Sequence, residues 1–312
     1  MRQLFVILAI SICLCTNAQF IQGTGGSGSN ISSGATSASG SYATAMGRQS
    51  NASGYASTVS GYQSVGSGSK SVAFGDHAVA SAEYAIAFGS WSTASGSSAI
   101  AIGQNNTASG NRSTAIGYRT TAIGNRSAAF NTDTKASDYA STVIGSFNLV
   151  GKTVTSDATN FNLNNSAFVV GNGYEDNSDP FSSTTIYSDA FVVYFNGNAT
   201  LSGDLTINSD ARLKDNIQPL GTTLSKLHKI EGKTYTMKRD EEKKQKIGVL
   251  AQDIEKVFPE LVSEGSDGIL SVNYQGLVPV LINSINEQQN QFVKQQAEID
   301  ALKVLIKKLT HK

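Results

Sequence analysis

The chain has 312 residues, a formal net charge of zero and 15% charged residues. A neutral surface gives no electrostatic reason to bind nucleic acid or an anionic membrane, and the length leaves room for two or three domains. The only cysteines, Cys13 and Cys15, lie within the first eighteen residues, so a chain cut after Ala18 carries neither disulfides nor thiolate metal sites.

That cut is expected because Arg2 precedes a short apolar run, Leu4 to Leu14, which ends in Thr16-Asn17-Ala18. This is the pattern of a secretory signal peptide, and it predicts a secreted or cell-surface product. The run is too short for the ~20 residues of a membrane span, so no membrane span is expected in the mature chain. Neither cysteine follows the small residue that a lipid-attachment site requires. Residues 19–35 read as a flexible Gly/Ser-rich start.

A fourteen-residue repeat follows. Gly47, Gly61, Gly75, Gly89, Gly103 and Gly117 keep this period, Asn131 takes the next position and Gly145 the one after. A second series runs through Gly26, Gly40, Gly54, Gly68, Gly96, Gly110 and Gly124, interrupted by Ala82 and Asp138. Before the first series stand pentads such as Ala99-Ile100-Ala101-Ile102-Gly103, usually with a large residue before the glycine and alanine before that. This alternation predicts a five-residue strand per repeat. Each repeat then reads as a strand, a corner, a short polar strand and another corner, with the glycines supplying left-handed backbone at the corners. About seven coils at the ~4.8 Å strand spacing give a rod of roughly 34 Å. One large residue per coil is too little core for a stable monomer, but identical stripes on several chains can bury one another.

Residues 36–145 resemble the head repeats of YadA-like trimeric adhesins. The resemblance implies a left-handed parallel β-roll in a homotrimer, and an unknown surface or glycan ligand for the head. The self-exporting membrane anchor of that family has no counterpart here, so autotransport is not carried over.

Residues 146–208 lose the period but keep strand character, and read as a β-rich neck. Ala167-Phe168-Val169-Val170-Gly171 looks like one more head pentad. Ala190 to Phe195 reads as a strand ending in an Asn196-Gly197 turn, and Leu201, Leu205 and Ile207 suggest a last narrow strand.

Composition changes sharply at Ser209. Residues 19–208 hold 17 Asp, Glu, Lys and Arg, whereas residues 209–312 hold 30. A separate α+β domain is therefore expected from Ser209. Helical spacing is read over Pro219 to Ile230 and a strand over Lys233 to Lys238, then a charged turn. Ile247 to Ile254 leads into a helix ending near Phe258-Pro259, and Ile269 to Val272 reads as a strand. The stem, 278–312, carries heptads with Val278, Ile285, Phe292, Ile299 and Ile306 at a, and Leu281, Gln288, Gln295, Leu302 and Leu309 at d. This pattern suits two or three strands. The alternative is an amphipathic helix packed on its own domain.

The segment 209–312 resembles the endosialidase-type intramolecular chaperone domain of phage tail spikes and fibres. The resemblance rests on Ser209-Asp210-x-Arg212-Leu213-Lys214-x-Asn216-Ile217, on Gly248-Val249-Leu250-Ala251-Gln252-Asp253-Ile254, on Val272-x-Tyr274-x-x-Leu277, and on the terminal coil. It implies a trimerising domain that guides folding of the repeats and then cuts itself away. It implies Ser209 as nucleophile, Lys214 as general base, and the Asn208–Ser209 bond as the cleavage site.

The chemistry is sound in itself. A serine hydroxyl needs a base to become a good nucleophile. A free lysine of pKa ~10.4 is neutral in only about one molecule in a thousand at pH 7, and burial at a chain interface would free the amine. Asp210 and Asp215 would oppose this if close, so they are expected to point elsewhere. The bland alternative makes Ser209 a helix cap and Lys214 a surface charge.

Other candidates are weaker. His77, His228 and His311 lack metal-ligand spacing, and no metal or other cofactor is expected. The Gly-rich run from Gly23 to Gly28 does not join a strand to a helix, so it is not a phosphate loop. Trp91, just after a coil glycine, is a corner packing residue or an exposed ligand contact.

The sequence therefore predicts a mainly β, trimeric β-roll followed by an α+β chaperone domain with a trimeric coiled coil. Its function reads as a secreted fibre or adhesin-like protein that processes itself as an autocatalytic serine peptidase. The alternative is a structural surface trimer whose C-terminal clamp never cuts. An enzyme acting on an outside glycan would need paired carboxylates in a recognisable pocket motif, and none is legible.

Overall fold

The computed structural model describes residues 19–22, 29–32, 36–179, 182–240 and 242–310; the signal peptide read at 1–18 and His311 lie outside the described residues. The chain divides into two compact units, one up to Thr206 and one from Ile207.

The first unit is a parallel β-solenoid. Eight five-residue strands, from Thr44–Arg48 to Thr142–Ser146, stack in parallel at fourteen-residue steps. Ile86, Ala87, Phe88 and Gly89 face Ile100, Ala101, Ile102 and Gly103 in register. A second sheet of eight two-residue strands, Ser37–Ala38 to Lys135–Ala136, closes each coil. There are thus about eight turns rather than seven. The stretch read as a flexible start holds two antiparallel strands, Gln19–Gln22 and Ser29–Ser32, and the second pairs in parallel with Thr44–Arg48.

The core is made of smaller residues than expected. Ala45, Val59, Ala73, Ala87, Ala101, Ala115, Ala129 and Val143 are fully buried, facing Ala52, Ala80, Ala94, Ala108 and Ala122 of the short strands. Neighbouring strand residues point to opposite faces, so the large residue before each glycine points outward. Phe88 and Ile102 are each 37% exposed, and the rings of Phe74 and Phe88 lie 5.1 Å apart in an outward stripe. Serines at the corner complete the interior: Ser50 Oγ and Ser64 Oγ donate to the carbonyls of Gly61 and Gly75, at 2.9 Å each.

Both glycine series stack too closely on the next coil to admit a Cβ, but they differ in backbone. The first takes left-handed angles, as at Gly61 with φ +128°. The second does not: a Cβ on Gly110 would lie 2.2 Å from the carbonyl oxygen of Gly124, so glycine there permits close stacking of coils. Left-handed backbone falls instead on a non-glycine residue at every seventh position from Tyr42 to Phe147, with φ between 43° and 61°. These residues are held by hydrogen bonds to the coil before, as in His77 N–H to Tyr62 C=O and Trp91 N–H to Asp76 C=O, both 2.8 Å.

Asp138, at a position of the second glycine series, ends the regular stack. Its buried carboxylate accepts from Thr155 N–H at 2.6 Å, Ser166 N–H at 2.8 Å and Ser166 Oγ at 2.6 Å. It thereby pins a loop between the last regular coil and the strand Ser166–Asn172. Within the loop the carboxyl of Asp157 is lowered to about 2 by the amides of Asn160 and Thr159. Ser166–Asn172 adds in parallel to Thr142–Ser146, with Val169 on Val143 and Gly171 on Gly145. Asp189–Tyr194 and Ala199–Leu201 then continue the sheet antiparallel. Gly197 makes the turn between them with φ +85°. Leu205 and Ile207 lie beyond the last strand and are exposed.

The second unit is small. It contains α1 (Leu224–Leu227), a hairpin of Lys233–Tyr235 and Lys246–Gly248, α2 (Ala251–Glu255), a hairpin of Val262–Glu264 and Leu270–Val272, and α3 (Leu277–Thr310). The helix expected over Pro219 to Ile230 shrinks to α1, because Gly221 turns the chain with φ +71° before it. The strand expected to reach Lys238 stops at Tyr235. Ile254, Phe258 and Val280 form the core, with Leu227, Ile230, Leu261 and Leu277 around them. Only Val280 and Ser284 of α3 are buried. The heptad residues Val278, Ile285, Phe292, Ile299 and Ile306 are all exposed, as are Leu281, Leu302 and Leu309. No helix among the described residues is long and apolar enough to cross a membrane.

Candidate functional site

The stretch around Ser209 is organised by one short turn. Asp210 caps the 3-10 turn Ala211–Leu213 by accepting from Arg212 N–H at 2.9 Å, so the cap is Asp210 and not Ser209. The turn folds the chain back by five residues. Lys214 Nζ then donates to Ser209 Oγ at 2.7 Å. Asn208 directly precedes this pair, and all three residues are exposed in the single chain.

Of the two carboxylates flanking the pair, Asp210 is occupied. Arg212 holds Asp210 through Nε at 3.0 Å and Nη2 at 2.6 Å. This pairing keeps the Asp210 carboxyl below its usual range and raises Arg212. Asp210 thus faces Arg212 rather than the lysine. Asn216 follows in left-handed backbone with φ 52°, and Leu213 and Ile217 are exposed.

Two further motif stretches meet in space. Tyr274 Oη accepts from Val249 N–H at 3.2 Å. A Cβ on Gly248 would lie 2.7 Å from that same oxygen, so glycine lets the tyrosine approach the strand. Leu277 joins the core of the unit. Among the described residues no hydrogen bond ties the Ser209–Lys214 turn to Gly248 or Tyr274.

The structure adds a polar tie that periodicity does not reveal. Glu287, half-buried on α3, accepts from the Thr223 and Leu224 amides at 2.6 and 3.3 Å. It thereby caps α1. Asn283 supports it with hydrogen bonds to Glu287 at 2.9 Å and to the Gly221 carbonyl at 2.6 Å. These amides, Thr223 first, hold the Glu287 carboxyl below its usual range. Within the heptads Glu287 reads as a solvated flank, because a cap supplied from more than sixty residues away leaves no local signature.

The remaining candidates fall elsewhere. His77 stacks on Trp91 with ring centroids 3.9 Å apart, and its Nδ1 lies 2.7 Å from Asp76. Trp91 is 55% exposed on a coil corner. Among the described residues no cluster of His, Cys, Asp and Glu is placed to hold a metal ion.

Comparison with known proteins supports both resemblances. Residues 38–64, 67–90 and 94–120 match the model of the YadA head domain repeat. Residues 209–263 match the model described as chaperone of endosialidase, which is that of a peptidase family. The long tail fiber protein Gp37 of Escherichia phage AR1 is 37% identical over 97 residues, which is 28% of this chain and 9% of that protein. The Gp37 of Salmonella phage S16 is 28% identical over 134 residues, 40% of this chain and 18% of its own length. That of Enterobacteria phage Ox2 is 35% identical over 107 residues, 31% of this chain and 42% of its own. The chain thus spans between 9% and 42% of the length of these curated relatives.

Proposed function

We propose that this protein is a secreted or surface-exposed trimeric fibre or adhesin-like protein. Its C-terminal unit drives trimerisation and folding and then cuts itself off between Asn208 and Ser209. The resemblance of the two halves to adhesin heads and to tail-fibre chaperones supports the fibre. Exposed apolar residues in both units support the trimer. In the head, the outward stripe of Phe74, Phe88 and Ile102 is open to partners. In the stem, heptad residues such as Ile285, Ile299 and Ile306 are exposed while α3 packs on its own unit through Val280 and Ser284. A helix that buries one narrow face locally and leaves its heptad seam bare is suited to a coiled coil.

The observation that carries the cleavage is the Lys214 to Ser209 hydrogen bond, formed at the first residue of the chaperone match. In the reaction, Lys214 as free amine takes the proton of Ser209 Oγ. The oxygen attacks the Asn208 carbonyl, and the C–N bond to Ser209 breaks. Lysine returns the proton to the leaving amine, and an ester joins Asn208 to Ser209 Oγ. Water hydrolyses the ester, leaving Asn208 with a carboxylate and Ser209 as a new N-terminus. Both side chains are exposed in one chain. Desolvation of an ammonium favours its neutral form, so assembly of three chains supplies what the lone chain lacks. Cleavage then follows trimerisation.

Mass analysis of purified wild type beside Ser209→Ala tests this. The wild type yields a fragment beginning at Ser209 and the variant stays whole. A wild type that stays intact from residue 19 to its end refutes the cut and leaves the C-terminal unit as a clamp.

A further inference from the structure

On the head, the corner that carries Tyr42, Lys70 and Tyr84 becomes basic further along the stack. Arg112 and Arg126 occupy its left-handed positions on adjacent coils, with φ of 57° and 61°. Adjacent coils place their backbones about 4.8 Å apart. The two guanidinium groups border an open groove of about 580 Å³, whose aromatic walls include Tyr84 and Phe161. That volume is within the roughly 300–1,000 Å³ of small-ligand sites. Asn111 and Asn125 line the groove between them. They are fixed by a side-chain to backbone ladder, with Asn125 Oδ1 accepting from Asn111 N–H at 2.9 Å and Asn111 Oδ1 from Ser97 N–H at 3.3 Å. The wall bearing Phe161 is anchored as well, through Asn125 N–H to the Ala158 carbonyl at 2.8 Å.

The charge here is uncompensated. Among the described residues neither arginine has an acidic partner. Arg126 leans on the ring and hydroxyl of Tyr139, and among the described residues the Arg112 side chain makes no hydrogen bond or ion pair. The nearby carboxylate of Asp157 is taken up by Thr159 and Asn160 of its own loop. By contrast Arg119, on the opposite corner, is paired with Asp133 at 3.0 Å and Glu175 at 3.5 Å. Two guanidinium groups one coil apart, neither with an acidic partner, suit two anionic groups on one extended ligand, since each presents a planar fork to a carboxylate or phosphate. The aromatic walls present flat apolar faces, and the asparagines offer both donors and acceptors. Sugar rings have the same mixture of C–H faces and hydroxyls.

We propose that this groove binds an acidic oligosaccharide, with Arg112 and Arg126 holding carboxylate or phosphate groups on the sugar chain and Tyr84 and Phe161 packing on its rings. The site lies on a corner of the head, away from the long-sheet face that carries the outward Phe74 and Phe88 stripe. It stands independently of the cleavage at Ser209.

The test uses the full chain and three immobilised probes: an oligogalacturonate carrying carboxylates, a phosphorylated mannose oligosaccharide and an uncharged dextran oligosaccharide. At least one acidic probe binds wild type about tenfold more tightly than dextran, the scale of one strong charge-assisted pair. The arm that binds identifies the anion. Arg112→Gln weakens that binding by about tenfold, and this variant is the decisive one because its side chain supports nothing else. Arg126→Gln, which also gives up the Tyr139 contact, weakens it at least as much. Arg48→Gln removes one charge from the opposite corner and leaves binding within about twofold, as expected for a screened distant charge. The proposal is overturned if neither acidic probe outbinds dextran, if Arg112→Gln binds as wild type does, or if Arg48→Gln costs as much as Arg112→Gln.

Discussion

Replacing Gly61 by alanine tests how tightly the head is stacked. A Cβ at Gly61 would lie 1.8 Å from the carbonyl oxygen of Gly75, at a backbone φ of +128°. An ordinary carbon–oxygen approach is about 3.3–3.6 Å, so the two coils must open by roughly 1.5 Å. They are joined by the parallel pairing of Thr58–Tyr62 with Val72–Asp76 and cannot part without losing part of that ladder. Forcing alanine into this backbone region costs about 1–3 kcal/mol. Two lost ladder hydrogen bonds add about 1 kcal/mol each, and the sum is about 3–5 kcal/mol. With a urea dependence of about 2 kcal/mol/M, the unfolding midpoint falls by about 1.5–2.5 M. The assay is urea unfolding of the full chain followed by circular dichroism, at one protein concentration because association adds to apparent stability. Gly203→Ala is the control: nothing lies within 4 Å of its added Cβ, and its effect stays within about 0.5 kcal/mol. If the two variants unfold at the same urea concentration, the close-stacking argument is wrong.

Lys214→Arg blocks self-cleavage as completely as Lys214→Ala, because a guanidinium keeps its proton near neutral pH; wild-type cutting by the arginine variant, read on a denaturing gel, removes lysine as the base. Ile285→Asp with Ile299→Asp places charges on the bare heptad seam, and light scattering then finds monomers or mixed aggregates in place of trimers; an intact trimer excludes the stem as the assembly seam. Glu287 gives the C-terminal unit an acid sensitivity. Its carboxyl is held below its ordinary value of 4.5 by the Thr223 and Leu224 amides. Its stabilising share is therefore present above that value and lost as pH falls through the lower folded one. Glu287→Gln flattens the pH dependence of thermal unfolding in this window, and an unchanged slope shows that the cap contributes nothing.

Periodicity made the head legible. Fourteen-residue glycine spacing with alternating small and large residues specifies a stacked strand, because each coil must repeat the same backbone path over the last. Even the isolated pentad ending at Gly171 adds its strand in the register of Gly145. The direction in which the large residues point was not legible from a single coil. Alternation says only that neighbours face opposite ways. The fully buried line of Ala73, Ala87 and Ala101 shows that the interior is too narrow for Phe74 or Phe88. Glycine itself was ambiguous: both series need the missing Cβ, and the series through Gly61 needs backbone freedom as well.

In the C-terminal unit, the resemblance carried by its ordered motifs pointed to Ser209 and Lys214, and a five-residue spacing is short enough for a local turn to join them. What that turn uses to hold its shape, the Asp210 cap and its clasp by Arg212, is visible only in the folded chain. Contacts made across long stretches of chain were beyond sequence reasoning altogether. Glu287 reads as a solvated heptad flank until α1 is seen under it. Tyr274 gains its role only when Val249 lies beside it. Arg112 and Arg126 look like ordinary surface charges until the coil stacks them at one rim of a groove. Local repetition determines the backbone path, but only the folded chain decides which side chains that path brings together.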